Sequence, residues 1–71
     1  MNHHQASRWL RAIGGTSDVV RDADGREYVV VAVESAMKGL VSRRTPVFGS
    51  TSGARDEAFV RACEELKLAL G

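Results

Sequence analysis

The sequence predicts an α+β domain in which a three-stranded antiparallel sheet packs against a long C-terminal helix, in the order α-β-β-β-α. The run Arg26–Glu34 is apolar on both of its alternating faces, which is typical of a central strand covered by neighbours. Apolar segments separated from it by turn residues lie on either side. The stretch Ala54–Leu70 carries a continuous apolar stripe at helical spacing. We therefore expect one domain covering residues 1–71, without linker or repeat.

The composition is that of a small folded domain. A hydrophobic content of 44% is ordinary for globular chains. No apolar run approaches the roughly 18 to 20 residues that a membrane span needs, and no secretory signal is evident at the N-terminus. The single cysteine, Cys63, cannot form an internal disulfide and fits a reducing compartment. We expect a cytoplasmic protein that does not associate with membranes.

The first element is predicted to be a short amphipathic helix. Ala6, Trp9, Leu10 and Ile13 stand at i, i+3, i+4 and i+7, and the pair Gly14-Gly15 ends the pattern. A helix of about three turns does not persist alone in water, so its apolar stripe must be buried. We expect that stripe to lie on the sheet.

A β-hairpin follows, with its turn in Asp22–Gly25. If Ala23, Asp24 and Gly25 form a three-residue loop, the residues before and after it oppose each other in a defined register. The opposed pairs are Asp22 with Arg26, Arg21 with Glu27, Val20 with Tyr28, and Val19 with Val29. Both charged pairs are opposite in sign and both apolar pairs match, as cross-strand neighbours should.

The remaining chain supplies the third strand and the last helix. Ser35–Gly39 is interpreted as a loose connection and Leu40–Phe48 as a strand, with Pro46 placing it at an edge of the sheet. Gly49–Gly53 is a loop and helix cap. Asp56 and Glu57 are expected in the first turn of the final helix, where the helix dipole favours acids.

Alternation decides which side of the central strand the final helix covers. We expect Val29, Val31 and Val33 to lie beneath that helix. Whether the Trp9 helix covers the opposite side, which carries Tyr28, is left open by the sequence.

No constellation points to catalysis or to a metal. A calcium loop would require acids where Val20 and Val31 stand, counted from Gly25. Two adjacent histidines and Cys63 are too few for a zinc site, and no nucleophile has a recognisable base. We expect a non-enzymatic protein that uses no metal and no cofactor.

Charge limits the nucleic-acid hypotheses. Ten basic residues meet nine acidic ones, so binding to phosphates would have to depend on where the arginines lie. Arg21 and Arg26 face acids in the hairpin register. Arg43 and Arg44 lack such partners, but a regular strand turns them to opposite faces.

One family resemblance can be stated. The span from Asp18 to Leu70 resembles the Apetala or ethylene-response-factor type of DNA-binding domain, whose relatives include phage and mobile-element proteins. The resemblance rests on Gly25-Arg26-Glu27-Tyr28-Val29-Val30-Val31, Arg43-Arg44-Thr45, Phe48-Gly49, Glu57-Ala58-Phe59 and Ala62-Cys63. It implies a sheet that enters the major groove with one helix behind it. It also implies the DNA-facing candidates Arg21, Arg26, Tyr28, Arg43 and Arg44.

Two hypotheses remain. The first is a module that binds duplex DNA through the sheet face and Arg43 or Arg44. The second is a protein-interaction module, a homodimer or a phage or mobile-element adaptor, with no nucleic-acid binding. An open Tyr28 side with Arg26 and one of those two arginines around it would favour nucleic acid, and a side closed by Trp9 would favour protein interaction.

Overall fold

The computed structural model describes all 71 residues and has the predicted element order. The elements are helix α1 (His3–Ala12), strands β1 (Thr16–Arg21), β2 (Glu27–Ser35) and β3 (Gly39–Pro46), and helix α2 (Ser52–Leu70). The strands form one antiparallel sheet in the order β1-β2-β3, with β2 in the centre. The predicted α+β architecture is confirmed. Neither helix has an apolar stretch that could span a bilayer.

The hairpin between β1 and β2 has the predicted register. Val20 opposes Tyr28 and Arg21 opposes Glu27. The N–H of Asp22 donates to the carbonyl of Arg26 at 3.0 Å and closes the loop. Inside the turn, the carboxylate of Asp22 accepts the N–H groups of Arg26 and Asp24 at 2.9 and 3.0 Å. These hydrogen bonds, that from Arg26 foremost, hold the pKa of Asp22 below its usual range.

The core lies on one side of the sheet only. Val29, Val31 and Val33 of β2 are buried beneath α2, as predicted. The facing residues of α2 are Ala58, Ala62, Cys63 and Leu66, and α1 adds Ala6 and Leu10. Both helices therefore form one layer, and the sheet forms the other.

The apolar stripe of α1 is shared between the sheet and α2. Ala6 and Leu10 belong to one core cluster with the buried valines of β2, and the Cys63 sulfur lies 4.0 Å from the carbonyl oxygen of Ala6. Small side chains on α2, notably Ala62 and Cys63, allow this close approach. Trp9 is half-buried at the border of the core, on the helical side.

Two element ends differ from the expectation. The third strand ends at Pro46, so Phe48 lies in the connection and is 72% exposed. Helix α2 begins at Ser52 because the Thr51 side chain accepts the N–H of Ala54 at 3.2 Å and caps it. The expectation that acids occupy the first turn of α2 is therefore wrong.

Candidate binding surface on the open sheet face

The side of the sheet that carries Tyr28 is not covered by either helix. Helix α2 packs on the opposite side of β2 and β3, and α1 packs against α2. We call this uncovered side the open face. By strand register it comprises Thr16, Asp18, Val20, Tyr28, Val30, Ala32, Glu34, Leu40, Ser42, Arg44 and Pro46.

The open face is apolar along its middle. Val20 is 38% exposed and Leu40 is 71% exposed, while Val30 and Ala32 on β2 are half-buried by their neighbours alone. A shallow depression of about 350 Å³, lined in part by Ala32 and Leu40, lies at the Glu34 end of this face. The centre of the sheet is therefore open to contact with another molecule.

Charges of both signs surround this apolar middle. Asp18 on β1 and Arg44 on β3 both pair with Val30, so they flank it on either side. The guanidinium carbon of Arg44 lies 4.6 Å from the centroid of the Tyr28 ring, a cation–π arrangement that holds the arginine over the sheet. Glu34 stands at the far end of β2. With two acids and one arginine, the face has a formal charge of −1.

The structure separates the five residues that the resemblance implied. Arg44 and Tyr28 lie on the open face, and Arg26 is exposed at its rim. Arg43 points to the other side of β3, as the alternation predicted, and its guanidinium donates to the carbonyl of Ser42 at 2.6 Å. Arg21 also lies on the helical side of the sheet, where it contacts an acid.

That acid is Glu27, which binds two arginines. Arg55 of α2 donates through Nε and Nη2 at 3.0 and 2.8 Å, and Arg21 donates at 3.0 Å. The hydrogen bonds from Arg55 and then Arg21 lower the pKa of Glu27, and the same carboxylate raises the pKa of Arg55. The hairpin register predicted the Arg21 contact. No sequence signal pointed to Arg55, which is separated from Glu27 by 28 positions.

A cleft of about 850 Å³ lies beside this cluster, between the hairpin loop and the connection from β3 to α2. Its charged lining is Arg21, Arg26, Arg55 and Glu27, a formal charge of +2, and Tyr28 and Phe48 supply aromatic walls. We call it the arginine cleft. The guanidinium of Arg26 forms no hydrogen bond or ion pair, so its donors are available to an anion.

The remaining reactive groups do not form a site. Cys63 is fully buried, and desolvation, with a smaller effect from the charge of Glu64, raises its pKa to about 11. Little thiolate is therefore present at neutral pH. His3 lies 3.5 Å from Asp56 on the surface, and no group of three or more His, Cys, Asp or Glu residues is arranged to hold a metal ion.

The open face and the arginine cleft are thus two candidate binding surfaces. Comparisons of the chain with protein-family models, with curated protein sequences and with solved structures found no match.

Proposed function

We propose that this chain is a non-enzymatic interaction module that binds a protein partner through the open face. The observation that carries the proposal is the arrangement of that face, an apolar middle with charges of both signs around it. Protein–protein interfaces have this organisation, with a desolvated apolar centre, a polar rim, and enrichment in tyrosine and arginine. Tyr28, Val30 and Ala32 supply the centre, and Asp18 and Arg44 supply the rim.

Charge favours a protein over duplex DNA on this surface. Openness together with Arg26 and Arg44 is the arrangement expected from the sequence to favour nucleic acid. Asp18 and Glu34, however, lie on the same face and would meet a polymer that carries one negative charge per about 1.7 Å of its axis. A protein surface can pair with both signs, whereas a phosphate backbone can pair only with the arginines.

Site-specific photo-cross-linking in cells tests the proposal. A benzophenone amino acid at Val30, in the middle of the open face, should give a covalent adduct with a protein, to be identified by mass spectrometry. The same group at Arg8, which is exposed on α1, serves as the matched control and should give no such adduct. The absence of any protein adduct from Val30, or an adduct with nucleic acid, would contradict the proposal.

The arginine cleft supports a second candidate function, the binding of duplex DNA at the hairpin end of the sheet. The specific observation is the formal charge of +2 on the residues that line the cleft, among which the guanidinium of Arg26 forms no salt bridge. The resemblance to the Apetala or ethylene-response-factor domain motivates the same hypothesis. Tyr28 and Phe48 would then provide apolar contacts beside the phosphates.

An electrophoretic titration with duplex DNA at low salt distinguishes the two candidates. Under the second one, Arg26→Ala should weaken binding and reduce its salt dependence by about one released ion. Arg11→Ala on α1 removes the same charge far from the cleft and should leave the affinity unchanged. No binding by the unmodified protein at low salt rules out DNA binding at the cleft.

A further inference from the structure

The open face is complementary to itself. Asp18, Val30 and Arg44 lie on one line across the three strands, with the acid and the arginine on opposite sides of the central valine. Neighbouring strands are about 4.8 Å apart, so the two charges stand roughly 10 Å from each other. A rotation of 180° about an axis parallel to β2 and passing over Val30 exchanges the two flanks. Each Asp18 then lies opposite Arg44 of a second copy.

The same rotation matches the other residues in the middle of the face. It places Val30 over Val30 and Val20 over Pro46, so apolar side chains meet apolar ones. Thr16 comes to lie over Ser42. Sheets that pack face to face rotate by about 30°, an offset that long side chains such as arginine can span.

Arg26 and Glu34 lie on the axis at the two ends of the face, so each meets its own copy there, and both side chains are exposed to water. A twofold axis parallel to β2 is therefore favoured by the middle of the face, where Asp18, Val30 and Arg44 lie.

The two charges nearest the centre of the face distinguish this axis from the alternative. An axis perpendicular to the strands would place Asp18 over Asp18 and Arg44 over Arg44, and both contacts repel. One carboxylate oxygen of Asp18 accepts the N–H of Val19 at 2.8 Å, which leaves the other oxygen free for Arg44 of the second copy. The guanidinium of Arg44 lies on the same face, over Tyr28.

We propose that the protein which occupies the open face is a second copy of this chain, packed face to face about a twofold axis parallel to β2. Two Asp18–Arg44 pairs fix the register of the dimer. This inference rests on the function proposed above and names its partner. The resulting particle has four layers, with the helices outside and the two sheets in contact. The face measures roughly 14 by 20 Å, which is smaller than a standard specific interface, so we expect a weak dimer with a dissociation constant in the micromolar range or above.

Charge reversal in single and double variants tests the geometry. Asp18→Arg and Arg44→Asp should each raise the dissociation constant at least about tenfold, because each creates two like-charge contacts per dimer. The double variant, Asp18→Arg with Arg44→Asp, should regain the dimer, since both pairs are reversed together. An equimolar mixture of the two single variants should also dimerise, because both of its contacts are then opposite in sign.

Sedimentation velocity from about 1 μM to 1 mM measures the association, and circular dichroism shows that each variant is folded. Arg43→Asp is the matched control, because it makes the same change one position away on the other side of β3 and should leave the dimer intact. A monomeric unmodified protein at 1 mM overturns the inference. The inference is also overturned if the unmodified protein dimerises but neither the double variant nor the mixture regains the dimer. If cross-linking from Val30 then identifies a different protein, the interaction function stands and only the identity of the partner is wrong.

Discussion

Adjacent residues of β2 should differ sharply in their reactivity towards thiol reagents. Val30 lies on the open face and Val31 is fully buried beneath α2. In Val30→Cys the new thiol should be labelled rapidly, whereas in Val31→Cys it should be protected. Cys63 is present in both variants and provides an internal reference for a thiol buried in the same core.

The structure sets the size of the difference. Burial raises the pKa of Cys63 to about 11, so the closed protein carries little thiolate at this site. A fully buried thiol therefore reacts mainly when the core opens, and the opening equilibrium sets its rate. For a small domain with an unfolding free energy of about 5 kcal/mol, only about one molecule in 5,000 is open at any time. We therefore expect the thiol introduced at Val30 to react at least about a thousandfold faster than Cys63.

Intact-mass spectrometry of samples taken during iodoacetamide labelling measures both thiols in one molecule. The experiment is performed below 1 μM protein, where association through the open face does not shield the new thiol. Labelling at position 30 that is as slow as at Cys63 would refute the assignment of the faces. Rapid labelling at position 31, in a variant whose resistance to denaturant is close to that of the unmodified protein, would refute it equally.

Three further predictions concern stability, each measured by urea unfolding. Leu66→Ala should lower the free energy of unfolding by about 3 kcal/mol, because Leu66 is fully buried. Leu68→Ala, at a position that is 82% exposed, should change it by less than about 0.5 kcal/mol. Equal losses would contradict the packing of α2 on the sheet. Gly15→Ala should destabilise the protein by about 1 to 3 kcal/mol, because the added methyl group would overlap the side chain of Leu10. Gly53→Ala, where the methyl group has room in α2, should stabilise it by about 0.5 to 1 kcal/mol. If Gly53→Ala were instead the destabilising variant, the α1–β1 connection would be misplaced. Because the pKa of Glu27 is lowered in the folded state, the stability that its ion pairs contribute is present at neutral pH and is lost as the pH falls below 4.5. Glu27→Gln should therefore be less stable than the unmodified protein at pH 7 and nearly equal to it at low pH. A difference in stability that stays constant across this range would exclude the two arginine contacts as the cause of the loss.

The sheet was predictable because its signals are local. The alternation in Arg26–Glu34 and the turn at Asp22–Gly25 together define the hairpin, and opposite charges across the strands indicate its register. The structure confirms that register residue by residue. It also confirms that Arg43 and Arg44 point to opposite faces, a consequence of strand geometry alone.

The position of α1 was not predictable in the same way. An amphipathic stripe shows that a helix face must be buried, but not which surface buries it. The stripe with Ala6 and Leu10 could have packed on either side of the sheet. In the structure it packs on the helical side, where the small residues of α2 leave room for it. The openness of the Tyr28 face depends on that choice, so the candidate site was the part that sequence patterns left undecided.

The ion pair between Glu27 and Arg55 was beyond local reasoning for a related cause. It joins the start of β2 to the first turns of α2 and exists only once the helix lies across the sheet. In the sequence alone, nothing singles out Arg55 from the other basic residues as the partner of Glu27. The arginine cleft, which this contact borders, was hidden for the same reason.

The side chains that cap the backbone at the rims of the sheet have a consequence for how far assembly can go. Asp18 accepts the N–H of Val19 on β1, and Arg43 donates to the carbonyl of Ser42 on β3, so each outer strand has already satisfied a group that a passing strand would use. Pro46 removes one more donor from β3. The addition of further strands, which would lead to fibres, is therefore disfavoured at both edges of the sheet. In the proposed dimer, contact across the open face would occupy the one uncovered side of each sheet, so no third copy could be added there.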